Sequence, residues 1–491
     1  MQSTLRKRPA PDAAAASSST LAATAMPAAA ASGKQRRVGA ISEAHATSED
    51  LRSTAVLEAA LLSRGAGDPA LARSRDAACA QMQALLAGWV RTVGVAHGLS
   101  EQQASDAGSG LLTLGSCALG VPGAGADIDL VAVVPYFVER AVFFSTKTGF
   151  VSVLATADGV DTESMHPVPD AFVPVVKFGW RGVPVDLLLA RLKIPQLPRE
   201  LTALTPGLLT RCFEDKDVHS LNGARVAADI LRRVPHVERY QTTLRAVKLW
   251  AQRRGLNQHA SGFPGGVAWA LLTARVCQLH PNATPSTLLH KFFMTWHVWR
   301  FGEDAVPVLL DEAAGDADAD AEEAPPTHLK IADWSRRDRG YLMPVITPCR
   351  PRLCSTHSVT KSTLGVIKAE IARAHELASV AMLARPVPSP AAAVAAAVAP
   401  SDPAVVVKSE TPITASTPAT APTGRGTPVE AADERWGALF APIDFFDAYE
   451  HYVGVQLTAA SAAELLHWRS FVKVAWMVAD GLLMGLSIAV S

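Results

Sequence analysis

The stretch that most restricts how this chain can fold runs from residue 111 to residue 135, LLTLGSCALGVPGAGADIDLVAVVP. A Gly-Ser pair ends one apolar run, a glycine-rich turn follows, and a second apolar run begins after an Asp-Ile-Asp triplet. Side chains alternate between the two faces of an extended chain, so Asp127 and Asp129 are predicted to share one face. Two carboxylates held that close need a cation between them to stay ionised, and hard divalent ions take oxygen ligands of this kind. A solvated Asp-x-Asp at the end of a strand is the alternative.

The Gly-Ser pair, Gly115 and Ser116, adds a second chemical signal to the same stretch. Backbone N–H groups at such a turn bind phosphate oxygens, above all where a helix begins. A phosphate cradle that leads into two carboxylates predicts a metal-dependent site of nucleotidyl transfer.

A third carboxylate lies in a predicted hairpin over residues 173–190, in which two apolar runs flank an Arg181-Gly182 turn. Asp186 lies among the valines and leucines of the second run, where a lone carboxylate is costly unless it is paired or binds a metal. Three carboxylates on neighbouring strands hold two metal ions for in-line displacement at phosphorus. The alternative is an edge strand whose aspartate faces water.

Composition restricts the remaining possibilities. At 491 residues the chain is too long for a single core, so two or three domains are predicted. Lys plus Arg and Asp plus Glu number 46 each, so any RNA must bind through a local basic surface. The six cysteines form no Cys-x-x-Cys pair, which predicts reduced thiols of an intracellular protein and no zinc site.

Hydrophobic periodicity predicts where the helices lie. Helices are predicted over residues 48–62, 69–97, 240–254 and 362–383. Apolar residues recur at three- and four-residue spacing in 69–97 and form a stripe in 240–254, and 362–383 is rich in Ala, Ile and Val. Residues 111–192 instead show short β-branched runs broken by Gly and Pro, as in a sheet.

The two ends of the chain have a different character. Residues 1–38 are rich in Ala and Ser and are predicted to be disordered. Their basic clusters at 6–8 and 34–37 are typical of a nuclear import signal, although the same composition fits an organelle transit peptide. Near the other end, the apolar run 474–490 is interrupted by Asp480, which favours a buried core helix over a membrane span.

Further segments resemble the eukaryotic nuclear poly(A) polymerases, within the polymerase-beta-like nucleotidyltransferases. Besides the Gly-Ser pair and the aspartates, the matching segments, in family order, are SLNGARVAADIL (220–231), TLRAVKLWAQRRGL (243–256), GFPGGVAWALLTARVCQLHPNA (262–283) and YLMPVITP (341–348). The resemblance extends over residues 38–383 and, more faintly, over residues 434–486.

This resemblance implies an α+β fold: a nucleotidyltransferase palm with a mixed β-sheet, a central helical domain, and a C-terminal RNA-recognition-like α/β domain. The predicted bounds are 1–38 for the tail, 39–218 for the catalytic domain, 219–342 for the central domain, and 343–491 for the RNA-binding domain with a disordered insertion at 386–433. The end at residue 491 predicts either a minimal last domain or a truncated one.

The resemblance also implies an activity, the template-independent addition of AMP from ATP to RNA 3′ ends. Asp127, Asp129 and Asp186 would be the catalytic residues and would hold two Mg²⁺ or Mn²⁺ ions per site. The implied partners are ATP, an RNA 3′ end, and cleavage and polyadenylation factors, with the nucleus as location and no membrane. The implied nucleotide-binding residues are Leu114, Gly115, Ser116, Gly123, Asn222, Lys248, Asn257, Gly266 and Val267, and the implied RNA-binding residues are Phe172 and Lys177.

For several of these residues a purely structural role is the alternative to the implied binding role. Lys248 matches a lysine on the triphosphate, yet a lysine in an apolar stripe also snorkels to the surface. Asn222 matches a residue near the nucleotide sugar, although a turn or helix-start asparagine looks the same. Gly266 and Val267 would form a wall of the adenine pocket, because glycine lets the backbone approach a flat base. The alternative is a tight turn between two helices. Phe172 could equally be a core aromatic, and Lys177 a strand-edge lysine.

The chain departs from the family pattern nine residues after Lys248. A family tyrosine is replaced by Asn257, and a nearby asparagine by His259. Losing an aromatic face removes stacking worth roughly 1–3 kcal/mol per base. These departures leave open a transferase that adds uridylate or mixed nucleotides. A catalytically inactive RNA-binding scaffold is the third possibility, although all three aspartates are present.

Overall fold

The computed structural model describes residues 39–67, 69–123, 125–311, 333–335, 340–383, 435–443, 460–461 and 464. The predicted tail 1–38 and the predicted insertion 386–433 lie outside these residues, as do residues 444–459 and 465–491 of the predicted RNA-recognition-like domain, which include the apolar run 474–490.

Eleven helices of four residues or more have bounds in the described part of the chain. Those before and within the sheet are α1 (Ser48–Leu62), α2 (Pro69–Ala96), α3 (Glu101–Ala107), α4 (Gly115–Ala118), α5 (Arg140–Phe143) and α6 (Phe150–Ala155). Those after it are α7 (Asp215–Arg233), α8 (Val237–Arg253), α9 (Gly266–Leu279), α10 (Pro285–Val298) and α11 (Lys361–Leu383). The predicted helices at 48–62, 69–97, 240–254 and 362–383 are confirmed to within three residues at each end.

The start of α1 shows how sequence sets such a bound. The Thr47 hydroxyl accepts a hydrogen bond from the Asp50 N–H at 3.2 Å, and the Asp50 carboxylate accepts one from the Thr47 N–H at 2.9 Å. This reciprocal pair satisfies two backbone donors that the first helical turn leaves free.

A five-stranded mixed sheet follows the first three helices. Its strands are β1 (Gly110–Thr113), β2 (Ile128–Val134), β3 (Val160–Val168), β4 (Val175–Trp180) and β5 (Val183–Arg191), in the order β1-β2-β5-β4-β3. Strands β2 and β5 pair in parallel, and the other neighbours pair antiparallel. The predicted hairpin is confirmed as β4 and β5, whose two-residue turn places Arg181 and Gly182 at φ +48° and +80°.

The two faces of the sheet pack against different partners. Ile128 and Leu130 lie in a core beneath α2, whereas Val131 and Val133 lie in a second core covered by α7. Because strand side chains alternate, Asp129 lies on the α7 side. The sheet therefore carries its acidic residues on the face that the later helices cover.

The later helices enclose a large aromatic core. Trp250 of α8 meets Trp269 of α9 edge-on at 5.5 Å between ring centroids, and Phe293 of α10 at 4.9 Å. Met343 and α11 belong to this same core. The mixed sheet and this helical core confirm the α+β class, while the predicted boundary at residue 342 stays a prediction. Among the described residues, no helix has the length and apolarity to cross a bilayer.

Candidate active site

Two of the predicted catalytic carboxylates stand side by side in the centre of the sheet. Asp129 on β2 and Asp186 on β5 are direct partners in the parallel register. Asp127 lies one residue before β2 begins, at the same end of the strand. The sheet thus places Asp129 beside Asp186, which lies 57 positions later in the chain, with Asp127 just outside the same strand.

The charges of these carboxylates affect one another. Burial raises the pKa of Asp129 to about 6, with Asp186 and then Asp127 adding repulsion. Burial also raises the pKa of Asp127, and Asp186 is its next largest cause. The site therefore holds more negative charge than its surroundings compensate.

Lys177 supplies part of the missing positive charge. It is the register partner of Asp186 across the β4–β5 hairpin, and its ammonium forms an ion pair with the Asp186 carboxylate. The sequence contained the signal for this contact, because a two-residue turn at Arg181-Gly182 places residues 177 and 186 opposite each other. Asp186 is only 24% exposed, which excludes the alternative of an edge-strand aspartate in water.

The donor set fits a hard divalent ion without forming a closed cage. In the ranges that the structure describes, no three or more His, Cys, Asp or Glu side chains are grouped so that they could hold a metal ion by themselves. Mg²⁺ in nucleotide-binding enzymes is commonly held by one or two carboxylates together with substrate phosphates and water. Asp127 and Asp129 supply two carboxylates of that kind at the start of β2.

The Gly-Ser turn packs directly against this cluster. Gly115 begins α4 with φ +54°, and a Cβ placed on it would lie 2.6 Å from Oδ2 of Asp129. Just before it, the Leu114 N–H donates to the Asp129 carbonyl at 2.9 Å. Only glycine allows both the left-handed backbone and this approach to the carboxylate.

We therefore expect Gly115→Ala to impair function more than fold. The left-handed conformation costs a non-glycine residue about 1–3 kcal/mol, and the added methyl group displaces the Asp129 carboxylate. The matched control is Gly98→Ala, since Gly98 also has a left-handed backbone, φ +96°, but a Cβ there meets nothing within 4 Å. Primer-extension rates and melting temperatures of both variants check this; equal rates in the two variants would contradict it.

Helix α7 brings a predicted sugar-binding residue to the same turn. A Cβ on Gly223 would lie 2.9 Å from the Leu114 side chain, so α7 lies close against the residue before Gly115. Asn222 precedes Gly223, and its side-chain Oδ1 is buried without a hydrogen-bond partner in the described structure. Asn222 lies within α7, which excludes the alternative of a helix-start or turn residue.

One face of α8 holds the loop that connects α4 to β2. Gln241, Arg245 and Lys248 follow helical spacing and donate to the carbonyls of residues 119, 120 and 121 at 3.0, 2.8 and 3.0 Å. Burial lowers the pKa of Lys248 to about 8. Of these three residues, only Lys248 was predicted from the sequence, although their helical spacing indicated that they share one face of α8.

Helix α2 holds the other end of the loop through Arg75. Its Nη2 donates to the carbonyls of Gly123 at 3.2 Å and Ala126 at 2.9 Å. No motif in the sequence marks this residue, because the contact joins positions about fifty residues apart.

The remaining predicted residues take no part in the contacts described so far. Gly266 and Val267 begin α9, which contacts α4. Asn257 is exposed between α8 and α9. Phe172 is 76% exposed and packs its ring on His219 at 4.7 Å between centroids. That exposure excludes the alternative of a core aromatic.

A glycine-led turn beside paired carboxylates on a mixed sheet defines a nucleotidyltransferase catalytic domain. In agreement, the model of the poly(A) polymerase nucleotidyltransferase domain matches residues 38–234, and that of the poly(A) polymerase central domain matches residues 239–385. The chain belongs to the poly(A) polymerase family. Membership of the nucleotidyltransferases implies dependence on a divalent metal ion.

Several curated relatives support the family. Poly(A) polymerase pla1 of Schizosaccharomyces pombe is 33% identical over 82% of this chain and 60% of its own length. Nuclear poly(A) polymerase 4 of Arabidopsis thaliana is 32% identical over 88% of this chain and 50% of its own, and poly(A) polymerase PAPa of Candida albicans is 39% identical over 69% and 58%. The chain thus spans between half and three-fifths of the length of these relatives.

Among solved structures, the Cid1 poly(U) polymerase is similar with a TM-score of 0.42 at 13% identity, over 70% of this chain and 96% of that one. A likeness at this level carries no information about the nucleotide that this chain uses.

Proposed function

We propose that this chain adds AMP from ATP to RNA 3′ ends without a template. The observation that carries the proposal is the paired placement of Asp129 and Asp186 beside the Gly115 turn, in a chain of the poly(A) polymerase family. The reaction is attack of the RNA 3′ hydroxyl on the α-phosphorus of ATP, with pyrophosphate as the leaving group.

The carboxylates would hold two divalent ions, Mg²⁺ or Mn²⁺. Asp127 and Asp129 would bind both ions, and Asp186 would complete the site nearest the 3′ hydroxyl. When bound, these ions lower the pKa of the hydroxyl and offset charge on the leaving pyrophosphate. Asp186 becomes available as its ion pair with Lys177 opens.

The residues around the turn would hold the triphosphate and sugar. The N–H groups at Gly115 and Ser116 would face the phosphates, where α4 begins. An ammonium has three donors, and Lys248 uses one of them on the Val121 carbonyl, so it keeps donors for a phosphate. The unpartnered Oδ1 of Asn222 would accept from a sugar hydroxyl.

The base would lie at the start of α9, against Gly266 and Val267. Space beside Gly266 is open, since a Cβ there meets nothing within 4 Å. On the side of Gly265, His259 packs edge-on to His357 at 5.0 Å between ring centroids. The pocket wall would therefore contain an imidazole near the exposed Asn257.

The RNA primer would contact the outer part of the palm. Phe172 offers an exposed aromatic face of the kind on which single-stranded bases stack. Lys177, once it leaves Asp186, would pair with an RNA phosphate. By family membership we further propose cleavage and polyadenylation factors as partners, and the nucleus as location, as the names of Arabidopsis relatives suggest.

A primer-extension assay with each of the four nucleotides tests this function. With an oligo(A) primer and Mg²⁺ or Mn²⁺, we expect long products from ATP and short or no products from the others. The second candidate is a uridylyl or mixed transferase, favoured by Asn257 and His259. UTP incorporation as strong as that of ATP would replace the first candidate with the second.

A further inference from the structure

We infer that Arg75 is a positioning residue for the catalytic carboxylates, although it lies on α2, outside the sheet. Its guanidinium bridges the two ends of the turn that immediately precedes Asp127. The inference rests on the proposed function, because it takes Asp127 as a metal-binding residue.

The geometry of this turn makes Arg75 its main external support. Within the turn, the Ala126 N–H donates to the Gly123 carbonyl at 3.2 Å. Arg75 Nη2 then donates to that same carbonyl at 3.2 Å and to the Ala126 carbonyl at 2.9 Å. Because both ends are bonded to one nitrogen, the direction in which the chain enters Asp127 is fixed.

The burial of Arg75 indicates that packing alone does not explain why an arginine occupies this position. The residue is 5% exposed, and its Nε and Nη1 are buried without a hydrogen-bond partner in the described part of the chain. Unpaired buried donors of a charged group cost free energy, and an apolar side chain of similar length fills the same space without that cost. The two bonds to the turn give the arginine a task that such a side chain lacks.

Other side chains hold the rest of the loop between α4 and β2, so the contribution of Arg75 is confined to one end of it. Gln241, Arg245 and Lys248 bind the carbonyls of residues 119–121, at the end next to α4. Arg75 alone among these side chains binds the end next to Asp127. Loss of Arg75 should therefore disturb the carboxylates while leaving the α8 contacts in place.

Two variants of Arg75 and one matched control test the inference. Arg75→Met removes both bonds, and Arg75→Lys keeps the charge but not the planar guanidinium. Arg239→Met is the control, since Arg239 Nη1 likewise donates to two loop carbonyls, Asn282 at 3.0 Å and Ala283 at 3.4 Å, in the helical region.

The first readout is amide hydrogen exchange of the peptide covering residues 119–127 in the full chain. In Arg75→Met we expect about tenfold faster exchange there, because two hydrogen bonds are lost. Arg75→Lys should fall between this variant and the wild type, and Arg239→Met should match the wild type. The second readout is Mn²⁺ affinity by calorimetry, expected to weaken about 10–100-fold in Arg75→Met, the scale for residues that orient metal ligands.

Either an unchanged exchange rate or an unchanged Mn²⁺ affinity in Arg75→Met overturns the inference, since Arg75 would then be only structural. If Arg75→Met does not fold, Arg75→Lys decides on the same two readouts, judged against Arg239→Met. Neither readout requires nucleotide addition. A wild-type chain that adds no nucleotide therefore refutes the proposed function separately from these results.

Discussion

Asp129→Asn should abolish nucleotide addition and at the same time stabilise the metal-free protein. The activity loss should reach about 10³-fold or more, the scale of removing one principal charge-stabilising group. The stabilisation follows from the pKa of Asp129, which rises from 3.8 to about 6 in the folded chain. The folded state then binds this proton more tightly than the unfolded state does, so stability falls as pH rises from about 4 to about 6.

Above pH 6 the ionised carboxylate is a constant cost to the fold. One pKa unit corresponds to about 1.4 kcal/mol, and the partial exposure of Asp129 reduces the gain expected from Asn to ~1 kcal/mol at pH 8. Chemical denaturation with a chelator at pH 8 and pH 4.5 measures the gain, which should fade at the lower pH. Asp158→Asn is the control, since this aspartate is 84% exposed and pairs with Arg181. A less stable Asn variant at pH 8 would contradict the prediction.

Lys248→Met should raise the KM for ATP by about 10–100-fold, the cost of one hydrogen bond to a charged group. Burial lowers the pKa of Lys248 to about 8, so the nucleotide-free protein loses this ammonium as pH rises through 8. We therefore expect the wild-type KM to rise between pH 7 and pH 9. Lys248→Arg should remove that rise, because arginine stays protonated.

The control for this series is Lys368→Met. Lys368 Nζ donates to the Phe301 carbonyl at 2.8 Å, so this variant loses a comparable lysine–carbonyl bond away from the site. Its KM should equal that of the wild type at every pH. A wild-type KM for ATP in Lys248→Met would refute the triphosphate contact.

The sequence predicted what depends on local pattern. Apolar periodicity located α2 to within one residue of its observed bounds, and the Arg181-Gly182 turn located the hairpin that carries Asp186. These features follow from neighbours within a few residues, which is why one chain suffices to predict them.

The contacts that position the site could not be predicted in this way. Arg75 reaches a turn about fifty residues ahead of it, and Gln241 and Arg245 reach a loop more than a hundred residues behind them. Such pairings depend on how helices pack on the sheet, and periodicity does not specify that packing. The predicted set of three carboxylates around two ions stays a prediction.

The parallel pairing of β2 and β5 has a consequence for how the two paired carboxylates keep their spacing. Asp129 and Asp186 are separated by the distance between adjacent strands, about 4.8 Å in any sheet. That spacing is fixed by backbone geometry common to all proteins, so thermal motion of nearby loops does not change it. The surrounding loops can therefore change in sequence, and with them the specificity, while the distance between Asp129 and Asp186 stays the same.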